Sequence, residues 1–106
     1  MPNGKMGKML KQMQKAQGQI MKLQEELNNR TVEATSGGGA VRAVVSGGKQ
    51  LKELEIDPEI LQENDVEMLQ DLIVSAVNEA IRSAEEMVSS EMEKLTGSLG
   101  LPKDLL

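Results

Sequence analysis

The sequence contains no cysteine, histidine, phenylalanine, tyrosine or tryptophan among its 106 residues. Without cysteine or histidine there is no thiolate nucleophile, no imidazole base and no zinc site built from the usual ligands. Without aromatic rings, the stacking platform typical of proteins that bind single-stranded nucleic acid is also missing. These absences exclude most nucleophilic and metal-dependent enzymes, and we expect no catalytic residue.

Long apolar runs are also absent. Nowhere are there eighteen consecutive apolar residues, so we expect no membrane-spanning helix. The basic start, residues 1–8, is not followed by an apolar run, so it does not resemble a signal peptide. The lack of cysteine is compatible with the cytoplasm, where we expect the protein to reside. The length allows a single domain, which we assign to residues 1–106.

Charge is distributed unevenly along the chain, whose net charge is −5. Five lysines precede the first acidic residue, Glu25, whereas the segment from Glu53 to Glu93 contains thirteen acidic residues and one basic residue, Arg82. Such asymmetry suggests an end that faces a polyanion and an end that repels it. Two ordinary solvated helix faces would explain the charges equally well, and charge alone leaves both interpretations open.

The first helix is predicted over residues 5–28, about 36 Å at 1.5 Å per residue. Its apolar residues are spaced alternately by three and four, which indicates a coiled-coil-like stripe: Met6, Met9, Met13, Ala16, Ile20, Leu23 and Leu27. Four lysines, Lys8, Lys11, Lys15 and Lys22, lie on the face away from this stripe, and Lys5 flanks it. Methionine in such a position is usually adaptable core filler rather than a ligand. A helix of this kind needs another element to pack against.

Three short strands are predicted over residues 31–56. Residues 31–35 alternate weakly, residues 40–46 form a β-branched run, and residues 49–56 carry spaced apolar side chains. Three glycines at 37–39 and the pair Gly47-Gly48 separate the runs, as hairpin turns require. An antiparallel three-stranded meander is the natural interpretation.

The second helix is predicted over residues 65–95. Asn64 or Asp65 would cap it, with Glu67 at the capping-box spacing from Asn64, and Gly97 would end it before a tail at 97–106. Apolar residues in its first half form more than one stripe, which suggests burial from two directions. The fold class is therefore α+β with the order α-β-β-β-α. Because such a small sheet has exposed edges, we expect a homodimer.

Two motif types invite a chemical interpretation that their context does not support. The glycines at 37–39 and 47–48 join strands, whereas a phosphate-binding loop needs a different spacing at a helix N-terminus. Three acidic pairs lie on a strand or helix surface with no sign of a pocket: Glu53 and Glu55, Glu85 and Glu86, and Glu91 and Glu93. No calcium-loop pattern is present. We expect no cofactor, no metal and no small-molecule substrate.

The order of motifs resembles the YbaB/EbfC family of bacterial nucleoid-associated proteins along almost the whole chain. The opening helix carries KMLKQMQKAQ at residues 8–17, and the strand region carries GGGAV at 37–41 followed by Gly47-Gly48. The matching segments continue with IDPE at 56–59, DVEMLQDLI at 65–73, AVN at 76–78, LTG at 95–97 and LGLP at 99–102.

The resemblance implies a tweezer-like homodimer that binds duplex DNA in the nucleoid and contributes to nucleoid organisation and gene regulation. Lysine can follow a phosphate backbone but does not read bases in bidentate fashion, so binding would have low sequence specificity and strong salt dependence. We expect eight DNA-binding residues, the last three being lesser candidates: Lys5, Lys8, Lys11, Lys15, Lys22, Arg42, Lys49 and Lys94.

One feature argues against this function. The second helix is strongly acidic, and Glu85, Glu86, Glu91 and Glu93 would weaken DNA binding if they lined the same gap. The alternative is a non-catalytic scaffold that docks a further protein partner, of unknown identity, through its methionine-rich helix face, since such surfaces adapt to varied partners.

Overall fold

The computed structural model describes residues 4–100 and contains three α-helices and three strands. They are α1 (Gly4–Asn29), β1 (Thr31–Ser36), β2 (Val41–Ser46), β3 (Leu51–Ile56), α2 (Pro58–Leu61) and α3 (Val66–Ser98). This order confirms the predicted α-β-β-β-α chain, to which α2 adds one short turn of helix. The molecule is elongated, with principal extents of 78 × 19 × 16 Å.

The sheet is antiparallel with strand order β1-β2-β3, as a meander requires. Val32 pairs with Val45 and Ala34 with Ala43, while Ala43 pairs on its other side with Leu54. The glycine turn between β1 and β2 has positive φ at Gly37, Gly38 and Gly39, a conformation that glycine adopts without steric cost. Both glycine-containing turns predicted from the sequence are therefore confirmed.

The core lies between β2 and α3. Val41, Ala43 and Val45 on β2 and Ala76, Ala80 and Ala84 on α3 are fully buried and form one cluster. Alanines four residues apart lie on one side of a helix, so α3 can approach the sheet closely there.

α3 packs mainly on β1 and β2, and Leu51 and Leu54 on β3 stay exposed. Val74 on α3 is also 57% exposed, so within one chain the first half of α3 is covered from one direction, not the predicted two.

α1 joins the rest of the molecule at the turn between β2 and β3. The amide of Gly47 donates to the carbonyl of Arg30 at 2.9 Å, and that of Gly48 donates to the carbonyl of Asn28 at 3.3 Å. A β-carbon at position 47 would lie 2.0 Å from the carbonyl oxygen of Leu27. The close contact between helix end and turn therefore requires glycine at position 47.

The ends of α3 differ from the prediction. Asp65 caps the helix by accepting from the amide of Met68 at 2.9 Å, whereas Asn64 has φ of 54°. The Asn64–Glu67 capping box is therefore wrong. The helix continues to Ser98 with Gly97 inside it, and positive φ appears only at Gly100. Gly97 is thus not the terminator, and the predicted tail from 101 to 106 lies outside the described residues.

Candidate nucleic-acid interface

Only the second half of α1 packs against the rest of the chain. Leu27 is fully buried, and Leu23, Ile20 and Ala16 are half-buried. On α3, Met92 and Thr96 lie beyond the sheet and are buried, since α1 and α3 pack together there. Residues 4–15 of α1, here called the arm, extend past this contact.

The apolar stripe of the arm is uncovered. Met6, Met9 and Met13 are between 61% and 67% exposed. The predicted stripe with spacings of three and four is therefore continuous along α1. Within the described chain, however, α3 covers only its second half, from Ala16 to Leu27.

Four lysines of α1 lie away from this stripe and Lys5 lies at its edge; the five together are called the lysine face: Lys5, Lys8, Lys11, Lys15 and Lys22. At 100° per residue, all but Lys5 fall within a sector of about 60°, and Lys8 and Lys22 are about 21 Å apart along the axis. All five are exposed. Within residues 4–100, the ion pairs closer than 4.0 Å involve none of them. The lysine face is thus a row of cations directed at solvent.

Arg42, a lesser candidate, lies on the sheet face that points away from α3. Its guanidinium donates to the carboxylates of Glu33 and Glu55, which belong to the two neighbouring strands. The hydrogen bonds to Glu33 and then to Glu55 raise the pKa of Arg42 above its usual value. Arg42 therefore sits in a cluster with net negative charge and offers little attraction to DNA.

The other two lesser candidates also have acidic partners. Lys49, at the turn after β2, lies 3.2 Å from Glu85, and Lys94 lies 3.5 Å from Glu91. The structure therefore separates the eight predicted residues into five unpaired lysines on one helix and three paired cations elsewhere on the described chain. Sequence spacing could not reveal the Lys49–Glu85 pair, since these residues are far apart along the chain. Glu91 and Lys94 are only three residues apart on one helix, a spacing at which charged side chains are neighbours.

The same ion pairs moderate the acidity of α3. Glu85 and Glu91 face basic partners, whereas Glu86 and Glu93 are exposed with no cation within 4.0 Å among the described residues. Arg30, a residue absent from the sequence prediction, lies 3.8 Å from Glu91 at the base of α1. Its position directly after the first helix was the only signal available. Of the four acidic residues expected to weaken DNA binding, Glu85 and Glu91 therefore have part of their negative charge offset by neighbouring cations.

Two other features are absent from residues 4–100. No cluster of three or more acidic side chains has the arrangement of a metal site in this part of the chain. Neither long helix, over the same residues, has a stretch apolar enough to cross a bilayer.

Comparison with known proteins gives consistent matches. The profile of the YbaB/EbfC DNA-binding family matches residues 2–99. A nucleoid-associated protein of Pelotomaculum thermopropionicum is 55% identical over 102 residues, which cover 96% of this chain and 97% of that protein. A nucleoid-associated protein of Clostridium acetobutylicum is 53% identical over 102 residues, 96% of this chain and 91% of that protein.

One solved structure supports the fold. The crystal structure of an uncharacterized protein from Helicobacter pylori matches with a TM-score of 0.57 and 28% sequence identity. The match covers 70% of this chain and 86% of the other.

Proposed function

This chain belongs to the YbaB/EbfC DNA-binding family, and we propose that it binds duplex DNA by laying the lysine face of α1 along the phosphate backbone. The observation that carries the proposal is the set of five exposed lysines on one helix, none of which has an acidic partner among the described residues. Cations left unpaired in the free protein can neutralise phosphates and release their counterions.

Binding of this kind has low sequence specificity. Lysine presents a compact charge, which positions a protein on DNA without reading base edges. The lysine face contains no arginine, the residue that most often reads guanine in the major groove. The function is therefore to coat or organise DNA in the nucleoid and so to influence gene regulation, within the cytoplasm and without catalysis.

The active form is a homodimer. Leu51 and Leu54 on β3 share a sheet face with the buried Ala43 and Val45, yet α3 leaves them exposed. β3 is also an edge strand. A second copy would cover these leucines and the edge, and the dimer would present two arms to one duplex.

The test is fluorescence anisotropy of a labelled duplex of about 30 base pairs, titrated at several salt concentrations. One variant carries Lys8→Glu, Lys11→Glu and Lys15→Glu. The control carries Lys49→Glu, Lys52→Glu and Lys94→Glu, which changes the net charge by the same amount. We expect the first variant to lose roughly 100-fold or more in affinity and the control to lose less than about tenfold.

Each result decides a different point. Equal losses in both variants would show that overall charge, rather than the lysine face, governs binding. Full affinity in the arm variant would contradict the proposal. If the arm variant loses DNA binding and sedimentation shows that both variants remain dimeric, the dimer contact does not depend on the lysine face.

The exposed methionines favour one alternative function, a scaffold that docks a protein through the arm. A complex of that type would depend on apolar contact, so it would survive reversal of the lysines. It would be lost when Met9 and Met13 are replaced by serine. DNA binding through the lysine face has the opposite dependence.

A further inference from the structure

The apolar stripe of α1 is covered in the second half of the helix and exposed in the arm. Leu27 is 1% exposed and Leu23 is half-buried. In the arm, Met6, Met9 and Met13 are between 61% and 67% exposed; these three residues are called the methionine stripe. The spacing of three and four continues unchanged through both halves, so the arm presents an exposed surface of the coiled-coil type.

The cover of α1 stops where α3 ends. A β-carbon on Gly47 would meet both the carbonyl of Leu27 and a methyl group of Val88, so residues 27 and 88 lie at about the same level. From there the two helices extend away from the sheet in opposite chain directions, with equal rise per residue. Leu99, which caps α3, therefore lies level with about Ala16. A helix that continued the line of α3 would cover the methionine stripe and would also run antiparallel to α1.

We propose that the arm of a second copy of this chain takes that place, so that two arms pair antiparallel through their methionine stripes. In the heptad pattern of α1, Met6 and Met13 occupy position a, whereas Met9 and Ala16 occupy position d. One alignment sets Met9 of each arm level with Met13 of the other arm, and Met6 level with Ala16. The pair then has four apolar layers, in which the small Ala16 leaves room for the longer Met6.

Charge permits this pairing because the lysines lie on the opposite side of α1. At 100° per residue, Lys8, Lys11 and Lys15 centre about 160° from the methionine stripe, so they point outward from the pair. The two Lys5 residues flank the stripe but lie about 18 Å apart along the axis, beyond the Debye length of about 8 Å in physiological salt. The other flanking residues in the overlap are uncharged: Leu10, Gln12 and Gln17.

The second copy belongs to another dimer. In the antiparallel alignment, the Leu27 residues of the two chains are about 48 Å apart along the axis. The β2–β3 turn of each chain lies at the level of its own Leu27, with the sheet beyond it. Two chains that pair through their arms therefore cannot also share the β3 edge proposed for the homodimer. Arm pairing thus connects one dimer to the next.

The consequence for function is a bridge between two DNA segments. Because the methionine stripes face each other, the lysine faces of the paired arms point to opposite sides, and each can lie along the phosphates of a separate duplex. Binding along DNA also raises the local concentration of arms, which favours an interface of only four layers. This consequence rests on the proposed DNA binding, whereas the arm pairing does not.

The first test uses the absence of cysteine from the sequence, because any disulfide between single-cysteine variants then joins two chains. Met9→Cys and Met13→Cys chains are mixed in a glutathione buffer, and the joined peptides are quantified by mass spectrometry. Random pairing makes unlike disulfides as abundant as both like kinds together. We expect the unlike disulfide in about fivefold excess, since the two cysteines are level only in the antiparallel alignment and a disulfide needs close Cα atoms.

The matched control mixes Gly7→Cys with Gln14→Cys, two arm positions that lie off the stripe, and it should show no excess. An excess of like disulfides from the stripe variants would indicate parallel arms and overturn the proposed alignment. Random pairing in both mixtures would overturn arm pairing itself, whatever else covers the stripe. Sedimentation of the joined stripe variants should show species larger than a dimer, and species no larger would overturn the connection between dimers.

The second test measures bridging, as the capture of a labelled duplex by protein bound to a different duplex on beads. The variant carries Met9→Gln and Met13→Gln, which keep side-chain length and helix propensity. The control is Met21→Gln, at a position that is 61% exposed but off the stripe. We expect the variant to capture about tenfold less duplex, while its anisotropy affinity for one duplex changes by less than about threefold. The control should bridge like the unmodified chain.

The two tests fail separately. Bridging by the stripe variant at the level of the unmodified chain would overturn the DNA bridge, and the disulfide result would still decide arm pairing. An unmodified chain that binds no single duplex would contradict the proposed function. In that case the disulfide excess would still support the pairing of arms, and its absence would overturn it.

Discussion

The arm, residues 4–15, and the body, residues 31–85, differ in how their apolar and basic side chains are placed. In the body, small side chains bring α3 onto the sheet, and Ala76, Ala80 and Ala84 are fully buried. Three of the four cations of the body, Arg42, Lys49 and Arg82, are paired with neighbouring acids. In the arm, methionines are exposed and no ion pair within 4.0 Å involves the lysines.

This difference shows why net charge misleads for this molecule. Five of the twelve basic residues precede the first acidic residue, and the rest of the chain holds seven basic and all seventeen acidic residues. A net charge of −5 thus combines a cationic end with a strongly anionic remainder. Attraction to a polyanion depends on the local field of the cationic end, while the anionic body limits how DNA can approach.

The strongest way to break the connection between arm and body is Gly47→Ala. The new β-carbon would lie 2.0 Å from the carbonyl oxygen of Leu27, so the turn and the end of α1 must separate. We expect a loss of about 3 kcal/mol or more in the free energy of unfolding, measured by urea denaturation. Gly97→Ala is the control, because position 97 is helical and open to solvent. Alanine there should stabilise by about 0.5–1 kcal/mol.

A second test compares two methionines that differ in burial. Met92→Ala removes a side chain that is 8% exposed where α3 packs against α1, and we expect it to cost about 2–4 kcal/mol of stability. Met21→Ala removes one that is 61% exposed, and it should change stability by less than about 0.5 kcal/mol. Similar costs at both positions would mean that the packing of α1 on α3 differs from the one described. Thermal unfolding followed by circular dichroism gives both values.

A smaller effect is expected at the start of α3. Asp65→Ala removes the side-chain acceptor of the Met68 amide, and we expect it to cost about 1 kcal/mol. Asp65→Asn keeps an acceptor and should recover most of that loss. If the asparagine variant were as unstable as the alanine variant, the cap would matter through its charge rather than its hydrogen bond. Chemical denaturation of the three proteins in parallel distinguishes these results.

The sequence was sufficient for the fold because local signals agreed. Spacings of three and four in α1, glycines between β-branched runs and the apolar stripes of α3 each indicated one element, and the structure contains all of them. The predictions that were wrong concerned the two ends of α3, where the alternatives lie one or a few residues apart. Asn64 and Asp65 are both good caps, and only the structure shows that Asp65 is the one used, since its side chain accepts from the Met68 amide.

The site was less predictable, because its selection depends on contacts between distant residues. Lys49 was already a lesser candidate in sequence, but only the fold shows that Glu85, far along the chain, pairs with it. Gly47 looked like an ordinary hairpin residue, whereas its approach to Leu27 holds α1 in place. Neither relation leaves a periodic trace in the chain, since pairing in three dimensions needs no fixed spacing.

The most direct test of the central claim is a lysine footprint, in which exposed amines are acetylated with and without a 30-base-pair duplex and the modified peptides are quantified. DNA should protect Lys8, Lys11 and Lys15, and protection should fade as salt is raised because the phosphate contacts are electrostatic. Lys52, on β3 of the body, should react equally in both samples. Protection of Lys52 with unchanged reactivity of the three arm lysines would contradict the account.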